Sequence, residues 1–373
     1  MSILIAPDKF KFSLTAQEVC QWIGRGIHAV DQDQDLIFHP LADGGDGTLD
    51  VLAAQLSLER VVCTVKDPLF RDMSAYYYFS ERENRAYIEL AIASGVALLA
   101  PKEQNPLLTT TFGTGQLIKQ AVDQGAQQIF LFVGGSATND AGIGIAAALG
   151  YRFYDRDGIL LTPCGKSLSL IERIDRSDVD AKIDSVDFQV LTDVNNVLYG
   201  PQGAAAVYAE QKGASPAEIK ELEVGLQHFA ALVWRIFGRK IDQIPGGGAA
   251  GGVGAGMVGI LGAQIQSGID KIFEWTRFPE IIKNVDWVIS GEGRIDDQTL
   301  SGKVVSQVAQ LAQAAGKPLV LFVGKDELSD EGRKQLAAQK IISVFDHAKD
   351  LDDAMQNAGP ILKQLAQDFF SQL

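Results

Sequence analysis

Short apolar runs alternate with amphipathic stretches at both ends of the chain. Near the start, residues 3–6 and 36–38 have the composition of buried strands, with a helical apolar spacing between them. The same alternation returns later, where strands are predicted at residues 287–289, 319–323 and 341–345. Strands that alternate with helices in this way predict a parallel sheet covered by helices.

The middle of the chain has a different pattern. Three short runs separated by turns predict antiparallel strands at residues 60–65, 73–79 and 86–90. Two stronger strands are predicted at residues 129–133 and 188–191. A long helical pattern follows at residues 215–238, and its Trp234 is predicted to lie in the core.

These patterns predict an α/β protein of two domains. Residues 1–60 and 285–373 are predicted to form a discontinuous, Rossmann- or flavodoxin-like domain whose parallel sheet is built from both chain ends. Residues 61–284 are predicted to form an inserted α/β domain with a mixed sheet. A sequential division near residue 150 or 240 is the alternative. The 373 residues are enough for two hydrophobic cores.

Composition and charge exclude several classes of function. The 46% hydrophobic and 21% charged content is typical of a soluble globular protein. A net charge of -14 argues against a nucleic-acid surface, which needs Lys and Arg. The three cysteines form no CxxC pair, which favours a reducing cytoplasm. The only long uncharged tract, residues 244–266, is glycine-rich, so no membrane span is predicted.

Four glycine-rich turns with acidic or amide side chains follow predicted strands. Their polar residues are Asp43 and Asp46, Asn139 and Asp140, Asp193 and Asn195, and Glu292 and Asp296. Turns at the carboxyl ends of parallel strands commonly form the ligand site, and glycine lets the backbone approach an anion. Phosphoryl transfer needs amides and lysines around phosphates, carboxylates for Mg²⁺ and an acid for the hydroxyl proton. The four turns therefore predict a shared polyphosphate and metal site.

The glycine tract at residues 245–256 permits other functions. It matches GxGxxG twice, but no clear strand precedes it, so it is a weak dinucleotide fingerprint. A flexible loop over an anion suits it better, and plain packing between domains is the alternative. A Rossmann-type NAD-dependent hydroxy-acid oxidoreductase is therefore one alternative function. A two-lobed carboxylate-binding protein is another, although it does not need clustered acids.

Six segments, taken together and in order, resemble the bacterial glycerate kinase family, in its type-I group related to enzymes of glyoxylate and glucarate catabolism. They are Ala6-Pro-Asp-Lys-Phe-Lys-Phe-Ser-Leu-Thr15, Leu41-Ala-Asp-Gly-Gly-Asp-Gly-Thr48, Gly134-Gly-Ser-Ala-Thr-Asn-Asp140, Leu191-Thr-Asp-Val-Asn-Asn196, Pro245-Gly-Gly-Gly-Ala-Ala-Gly-Gly252 and Ser290-Gly-Glu-Gly-Arg-Ile-Asp-Asp-Gln-Thr299. The chain departs from the family pattern at Lys9, which replaces Ser, and at Phe12 and Ala141, which replace Gly.

The resemblance implies ATP-dependent, Mg²⁺-assisted phosphorylation of D-glycerate in a site between two α/β domains. It favours 2-phosphoglycerate over 3-phosphoglycerate as the product. Partners are thus expected to be D-glycerate and ATP, with no nucleic acid or membrane, in a monomer or a homodimer.

The resemblance also implies roles for single residues. Asp43, Asp46 and Asp193 are the catalytic candidates, as the base or as Mg²⁺ ligands, with Asp43 and Asp193 as the metal ligands. Substrate contacts are predicted for Lys9, Lys11, Ser13, Glu292 and Asp296. ATP contacts are predicted for Gly134, Gly135, Ser136, Asn139, Asp140, Asn195, Gly247, Gly248, Gly251 and Gly252.

Overall fold

The computed structural model describes residues 1–42, 44–45, 47–297, 299–300 and 304–373. The strands are β1 (Ser2–Ile5), β2 (Asp35–Phe38), β3 (Glu59–Lys66), β4 (Asp72–Ser80), β5 (Arg85–Glu89), β6 (Gln128–Phe132), β7 (Arg152–Tyr154), β8 (Arg173–Asp175), β9 (Asp187–Leu191), β10 (Gln264–Gln266), β11 (Trp287–Ser290), β12 (Arg294–Ile295), β13 (Leu319–Val323), β14 (Lys325–Asp326) and β15 (Lys340–Ser343).

The helices are α1 (Ala16–His28), α2 (Thr48–Gln55), α3 (Ala91–Ser94), α4 (Phe112–Asp123), α5 (Ile143–Ala148), α6 (Ala204–Tyr208), α7 (Pro216–Phe237), α8 (Ala249–Leu261), α9 (Gly268–Trp275), α10 (Phe278–Lys283), α11 (Val304–Ala314), α12 (Asp330–Leu336), α13 (Leu351–Gln356) and α14 (Ala358–Phe370). Within the described residues, no helix combines the length and the apolar content needed to cross a membrane.

The chain divides into two compact units. Unit 1 contains Met1–Asp43, Asp50–Leu56 and Ile269–Leu373, and unit 2 contains Gly44–Leu49 and Ser57–Gly268. Each has its own sheet and its own core.

Unit 1 is built on a five-stranded sheet in the order β15-β13-β11-β1-β2, in which all neighbours are parallel. The chain passes from β1 to β2 on one side, while β11, β13 and β15 lie on the other. The switch point of the sheet is therefore between β1 and β11, where ligands bind in open α/β sheets. The predicted parallel sheet built from both chain ends is confirmed.

Helix α1 shows how local sequence sets this unit. Thr15 caps it, and the side chain of Glu18 accepts from the Thr15 backbone, which completes a capping box. The apolar face of α1 packs with α14 over the sheet. Its buried members include Val19, Ile23 and Ile27, which recur at helical spacing.

Unit 2 is built on a six-stranded mixed sheet in the order β10-β9-β6-β5-β4-β3. Strands β10, β9, β6 and β5 are parallel, while β4 pairs antiparallel with both β5 and β3. The mixed sheet and the predicted antiparallel strands are thus confirmed. One core lies on this sheet under α4 and α8, and a second surrounds α7.

The prediction for Trp234 is wrong. Helix α7 forms, but the side chain of Trp234 is 51% exposed. The buried face of the helix carries Leu226, Phe229 and Val233, which leaves the next position pointing outward. Its indole instead lies 5.3 Å from the ammonium of Lys240.

The predicted flexible loop at the glycine tract is also wrong. Residues 246–257 are buried, and helix α8 begins within the tract at Ala249. A Cβ on Gly256 would lie 1.7 Å from the carbonyl oxygen of Ala141, and one on Gly251 would lie 2.1 Å from that of Thr138. Residues 250–252 have positive φ and interrupt the helix, and glycine lets this segment and the rest of α8 pack directly on the backbone of residues 138–141.

Candidate active site

The carboxyl ends of four parallel strands form one edge of the sheet in unit 2. Glu89 ends β5, and residues 134–140 follow β6. Asp193 follows β9, while Ser267 and Gly268 follow β10. Parallel pairing brings these ends together, so turns that are far apart in sequence share this edge.

Asp193 is fixed at this edge by two hydrogen bonds. Its Oδ1 accepts from the hydroxyl of Ser267 at 2.8 Å and from the N–H of Gly268 at 3.0 Å. A Cβ on Gly44 would lie 3.6 Å from Oδ2, so the backbone of Gly44 passes close to the carboxylate. The half-buried carboxylate thus has a defined orientation, whereas Asn195 is exposed two residues later.

Glu89 belongs to this edge and was missed at the sequence level. Its side chain is 2% exposed and accepts from the N–H groups of Gly47, at 3.0 Å, and Leu49, at 3.5 Å. It therefore holds the glycine turn that precedes α2. The sequence signal was a charged residue closing an apolar strand. The predicted Asp43 and Asp46 lie outside the described residues.

The turn after β6 presents backbone donors. The N–H groups of Gly134, Gly135 and Ser136 donate to no other described residue, and Gly135 is exposed in the left-handed conformation, with φ 71°. A Cβ on Gly134 would lie 2.6 Å from Cα of Gly45, so only glycine fits there. Successive unpaired amides of this kind form a concavity that binds anions.

Asp140 has an internal role in the same turn. It is fully buried, and its oxygens accept from the backbone and hydroxyl of Thr111 and from the N–H groups of Gly142 and Gly144. Burial raises the pKa of this carboxyl, while the hydrogen bonds lower it. Asn139 is buried beside it, and neither its Oδ1 nor its Nδ2 has a partner among the described residues. Their contacts with ATP stay predictions.

Three of the predicted glycines in the tract at residues 245–256 donate their backbone N–H groups to acceptors inside unit 2. The N–H of Gly247 donates to Ile244, that of Gly248 to Asn196 and that of Gly252 to Gly248. These amides serve the fold, and the role of Gly251 and its neighbours toward ATP also stays a prediction.

Unit 1 carries an acid pair at its own switch point. Asp8 follows β1 and Glu292 follows β11, with side chains 6% and 8% exposed. The N–H of Asp8 donates to the carbonyl of Gly291 at 2.8 Å, and the hydroxyl of Thr299 donates to Glu292 Oε1 at 2.8 Å. Asp8 lies in the first of the six segments, but it was not predicted to be a site residue.

The two predicted lysines of the first motif differ in environment. Lys9 is half-buried, and its N–H donates to Asp8 Oδ1 at 2.6 Å. Lys11 is exposed, with its ammonium 5.2 Å from the ring of Phe12. Phe12 has φ 65°, a conformation that glycine adopts without strain, which accounts for the glycine in the family pattern.

Two further substrate candidates are held by neighbours within unit 1. The hydroxyl of Ser13 donates to the carbonyl of Met355 at 2.5 Å. Asp296 lies 3.6 Å from Arg294, which also pairs with Glu327. Both side chains therefore have partners within unit 1, and their contacts with a substrate stay predictions.

Lys212 is the second residue that sequence reasoning missed in unit 2. It lies on the 3₁₀ turn Glu210–Lys212 and is 4% exposed. Its ammonium donates to Ser136 Oγ at 2.8 Å and to the carbonyl of Thr138 at 2.7 Å. Burial lowers the pKa of Lys212 to about 7, and the charge of Asp140 opposes that shift. No local pattern marked this lysine.

The described residues contain no complete metal site, because no three of their His, Cys, Asp or Glu side chains lie close enough together to hold one ion. The donors that the edge of unit 2 does offer are carboxylate oxygens, which suit Mg²⁺ rather than softer metals.

A parallel sheet whose carboxyl edge carries acids, together with glycine amides that have no acceptor among the described residues, is typical of α/β proteins that bind small anionic ligands. The model of the glycerate kinase family matches residues 3–373. The chain is 41% identical to a glycerate kinase of Halalkalibacterium halodurans, over 98% of this chain and 97% of the relative. It is 38% identical to glycerate 2-kinase of Escherichia coli K12, over 96% of this chain and 94% of the relative.

A solved structure agrees with these relatives. The crystal structure of a glycerate kinase 2 candidate from Salmonella typhimurium LT2 has a TM-score of 0.86 and 36% identity, and the match covers 100% of this chain and 98% of that one. This chain therefore belongs to the glycerate kinase family, and it is an enzyme of the kinase class. The resemblance drawn from six segments is confirmed.

Proposed function

We propose that this enzyme transfers the γ-phosphoryl group of ATP to the 2-hydroxyl of D-glycerate, with Mg²⁺, and releases 2-phosphoglycerate and ADP. Membership of the glycerate kinase family supports the substrate. The name of the Escherichia coli relative, glycerate 2-kinase, supports the 2-hydroxyl over the 3-hydroxyl. The single observation that carries the proposal is the edge of unit 2, where Asp193 and the amides of Gly134 and Gly135, which donate to no described residue, follow adjacent parallel strands.

The amides of residues 134–136 are proposed to receive the phosphates of ATP. They are unpaired within the described residues, two of the three belong to residues that are at least partly exposed, and they follow a strand of the sheet. Hydrogen bonds from fixed amides to phosphate oxygens stabilise the developing negative charge, and the amides do not have to reorient during the reaction. Such electrostatic stabilisation supplies much of the catalysis of phosphoryl transfer.

Asp193 is proposed to orient the acceptor and take its proton. As the glycerate oxygen bonds to the γ-phosphorus, the bond from that phosphorus to the bridging oxygen breaks and ADP leaves. The hydroxyl proton then passes to the carboxylate. The bonds from Ser267 and Gly268 hold that carboxylate in one orientation, as a general base requires.

Mg²⁺ is proposed to be held by Asp43 and Asp193, the two predicted metal ligands. Carboxylate oxygens fit this ion, which usually takes one or two of them together with water and phosphate oxygens. When bound, Mg²⁺ offsets the charge that develops on the β- and γ-phosphates.

Glycerate is proposed to contact Lys9, Lys11, Ser13, Glu292 and Asp296, of which the lysines suit its carboxylate and the acids its hydroxyl groups. We also propose that the domain boundaries lie at residues 60 and 285. The enzyme is proposed to be cytoplasmic and to be a monomer or a homodimer.

The test is phosphorus NMR of purified enzyme with ATP, Mg²⁺ and D-glycerate. We expect one new phosphomonoester resonance that matches authentic 2-phosphoglycerate and ADP in equal amount. A resonance of 3-phosphoglycerate would correct the regiochemistry. Absence of any product, with thermal stabilisation by D-glycerate alone, would favour a binding protein. Binding of NAD without binding of ATP would favour the oxidoreductase, although the tract at residues 245–256 follows a turn rather than a strand.

A further inference from the structure

Lys212 is a buried cation on the inner side of the turn at residues 134–138. Two of its three protons go to Ser136 and to the carbonyl of Thr138. These bonds tie a 3₁₀ turn between α6 and α7 to a segment more than seventy residues earlier in the chain. The contact therefore fixes residues 136–138, next to the amides that donate to no described residue.

Stability of the fold does not account for a lysine here. A buried ammonium is costly unless it is paired, and an apolar side chain would fill the same space at lower cost. The charge that acts on it is Asp140, whose carboxylate is already occupied by four hydrogen bonds. Beside it, the Asn139 amide and the Thr138 hydroxyl have no partners among the described residues. A buried charge that lowers stability is expected mainly at a site where function requires it.

We propose that Lys212 is a positioning residue for the nucleotide: its ammonium fixes the turn at residues 134–138 and supplies positive charge beneath the amides that receive the phosphates of ATP. The inference rests on the proposed function and extends it to a residue that does not itself touch the ligand. It makes ATP affinity dependent on the protonation of one buried side chain.

The surroundings of Lys212 define the pH dependence. Its pKa is lowered to about 7, so its charge falls as the pH rises through neutrality. Asp140 opposes this shift, while Glu210 on the same turn is exposed. Glu103, near the segment that Gly213 packs against, is paired with Arg71. Because bound phosphates favour the charged lysine, ATP and a proton should each strengthen the binding of the other.

The experiment compares the wild type with Lys212→Met and Lys212→Arg, with Lys220→Met on the exposed face of α7 as the matched control. Calorimetry of Mg-ATP binding at pH 8, in buffers of different ionisation enthalpy, measures proton uptake. We expect uptake of about 0.5 to 1 proton in the wild type and in the control, and none in the methionine variant. The KM for ATP should rise about tenfold in that variant, with a smaller change in the KM for D-glycerate.

Lys212→Arg keeps its charge at high pH, so it should remove the rise in KM for ATP above pH 7 and the proton uptake. If the methionine variant does not fold, the arginine variant alone still tests the inference. The inference is overturned if either variant keeps the wild-type proton uptake and the wild-type pH dependence of the KM for ATP. A wild-type enzyme that forms no phosphorylated product would instead refute the proposed function, which the NMR experiment measures separately.

Discussion

The substitution Asp193→Asn separates a catalytic role of this side chain from a structural one. Asparagine keeps the Oδ1 atom that accepts from Ser267 and Gly268, but it loses the negative charge. Two charge-assisted hydrogen bonds become neutral ones, so the free energy of unfolding should fall by only about 1–2 kcal/mol. A general base contributes about 100-fold to 10,000-fold in rate, so kcat should fall at least about 100-fold, a barrier increase of about 2.7 kcal/mol.

The assay is ADP formation at saturating ATP and D-glycerate, together with urea denaturation of the same preparations. Asp187→Asn is the matched control, because Asp187 begins the strand that Asp193 follows. Its carboxylate accepts hydrogen bonds from Gln128 and Gln189, so it is an aspartate with a structural role. The control should retain kcat within about twofold while its stability changes by a similar amount.

The reasoning is refuted if Asp193→Asn retains kcat within about tenfold, a barrier change of about 1.4 kcal/mol, while it folds normally. Asp193 would then be removed from the catalytic residues, and the base would be sought among the remaining acids. Equal losses of kcat in both variants would show that the effect arises from strand β9 and not from the carboxylate.

Three further predictions concern stability. Gly256→Ala places a Cβ 1.7 Å from the carbonyl of Ala141, so urea denaturation should show a loss of about 2 kcal/mol or more; an unchanged midpoint would contradict the packing. His39 has its pKa lowered by burial from 6.5 to about 4, so the unfolded state binds more protons between these values. Stability should fall by about 3 kcal/mol as the pH drops through that window, and His39→Gln but not His347→Gln should abolish this component. Asp140→Ala removes four hydrogen bonds from a fully buried site and should cost about 3–5 kcal/mol, whereas a loss below about 1 kcal/mol would contradict its capping role.

The strands and much of the candidate site follow from local patterns. The predicted strand at residues 129–133 corresponds to β6, and the glycine turn after it carries the amides of Gly134 and Gly135, which have no acceptor in the described part of the chain. Asp193 likewise follows a predicted strand. These features were accessible because apolar periodicity and glycine turns are encoded by residues that are close together in the chain.

The missed residues have a common physical reason. Glu89 and Lys212 matter because each is buried against a segment at least forty residues away. Asp140 was predicted to contact ATP, and the structure adds that its carboxylate accepts from Thr111 and from the start of α5 inside unit 2. A side chain's partners across the fold decide whether its charge faces a ligand or stabilises the backbone, and no local pattern contains that information.

The sequence by itself determined the strands of the two main sheets except β10, the long helix α7, that the chain ends share a parallel sheet, and that acids and glycines follow the strands. Those properties depend on spacing of two or 3.6 residues and on turn chemistry, which neighbours in the chain specify. The tertiary structure alone decided that the glycine tract is buried and enters α8, and that Trp234 faces outward. It also decided that a lysine lies beneath the turn at residues 134–138, because close packing joins residues that the sequence keeps far apart.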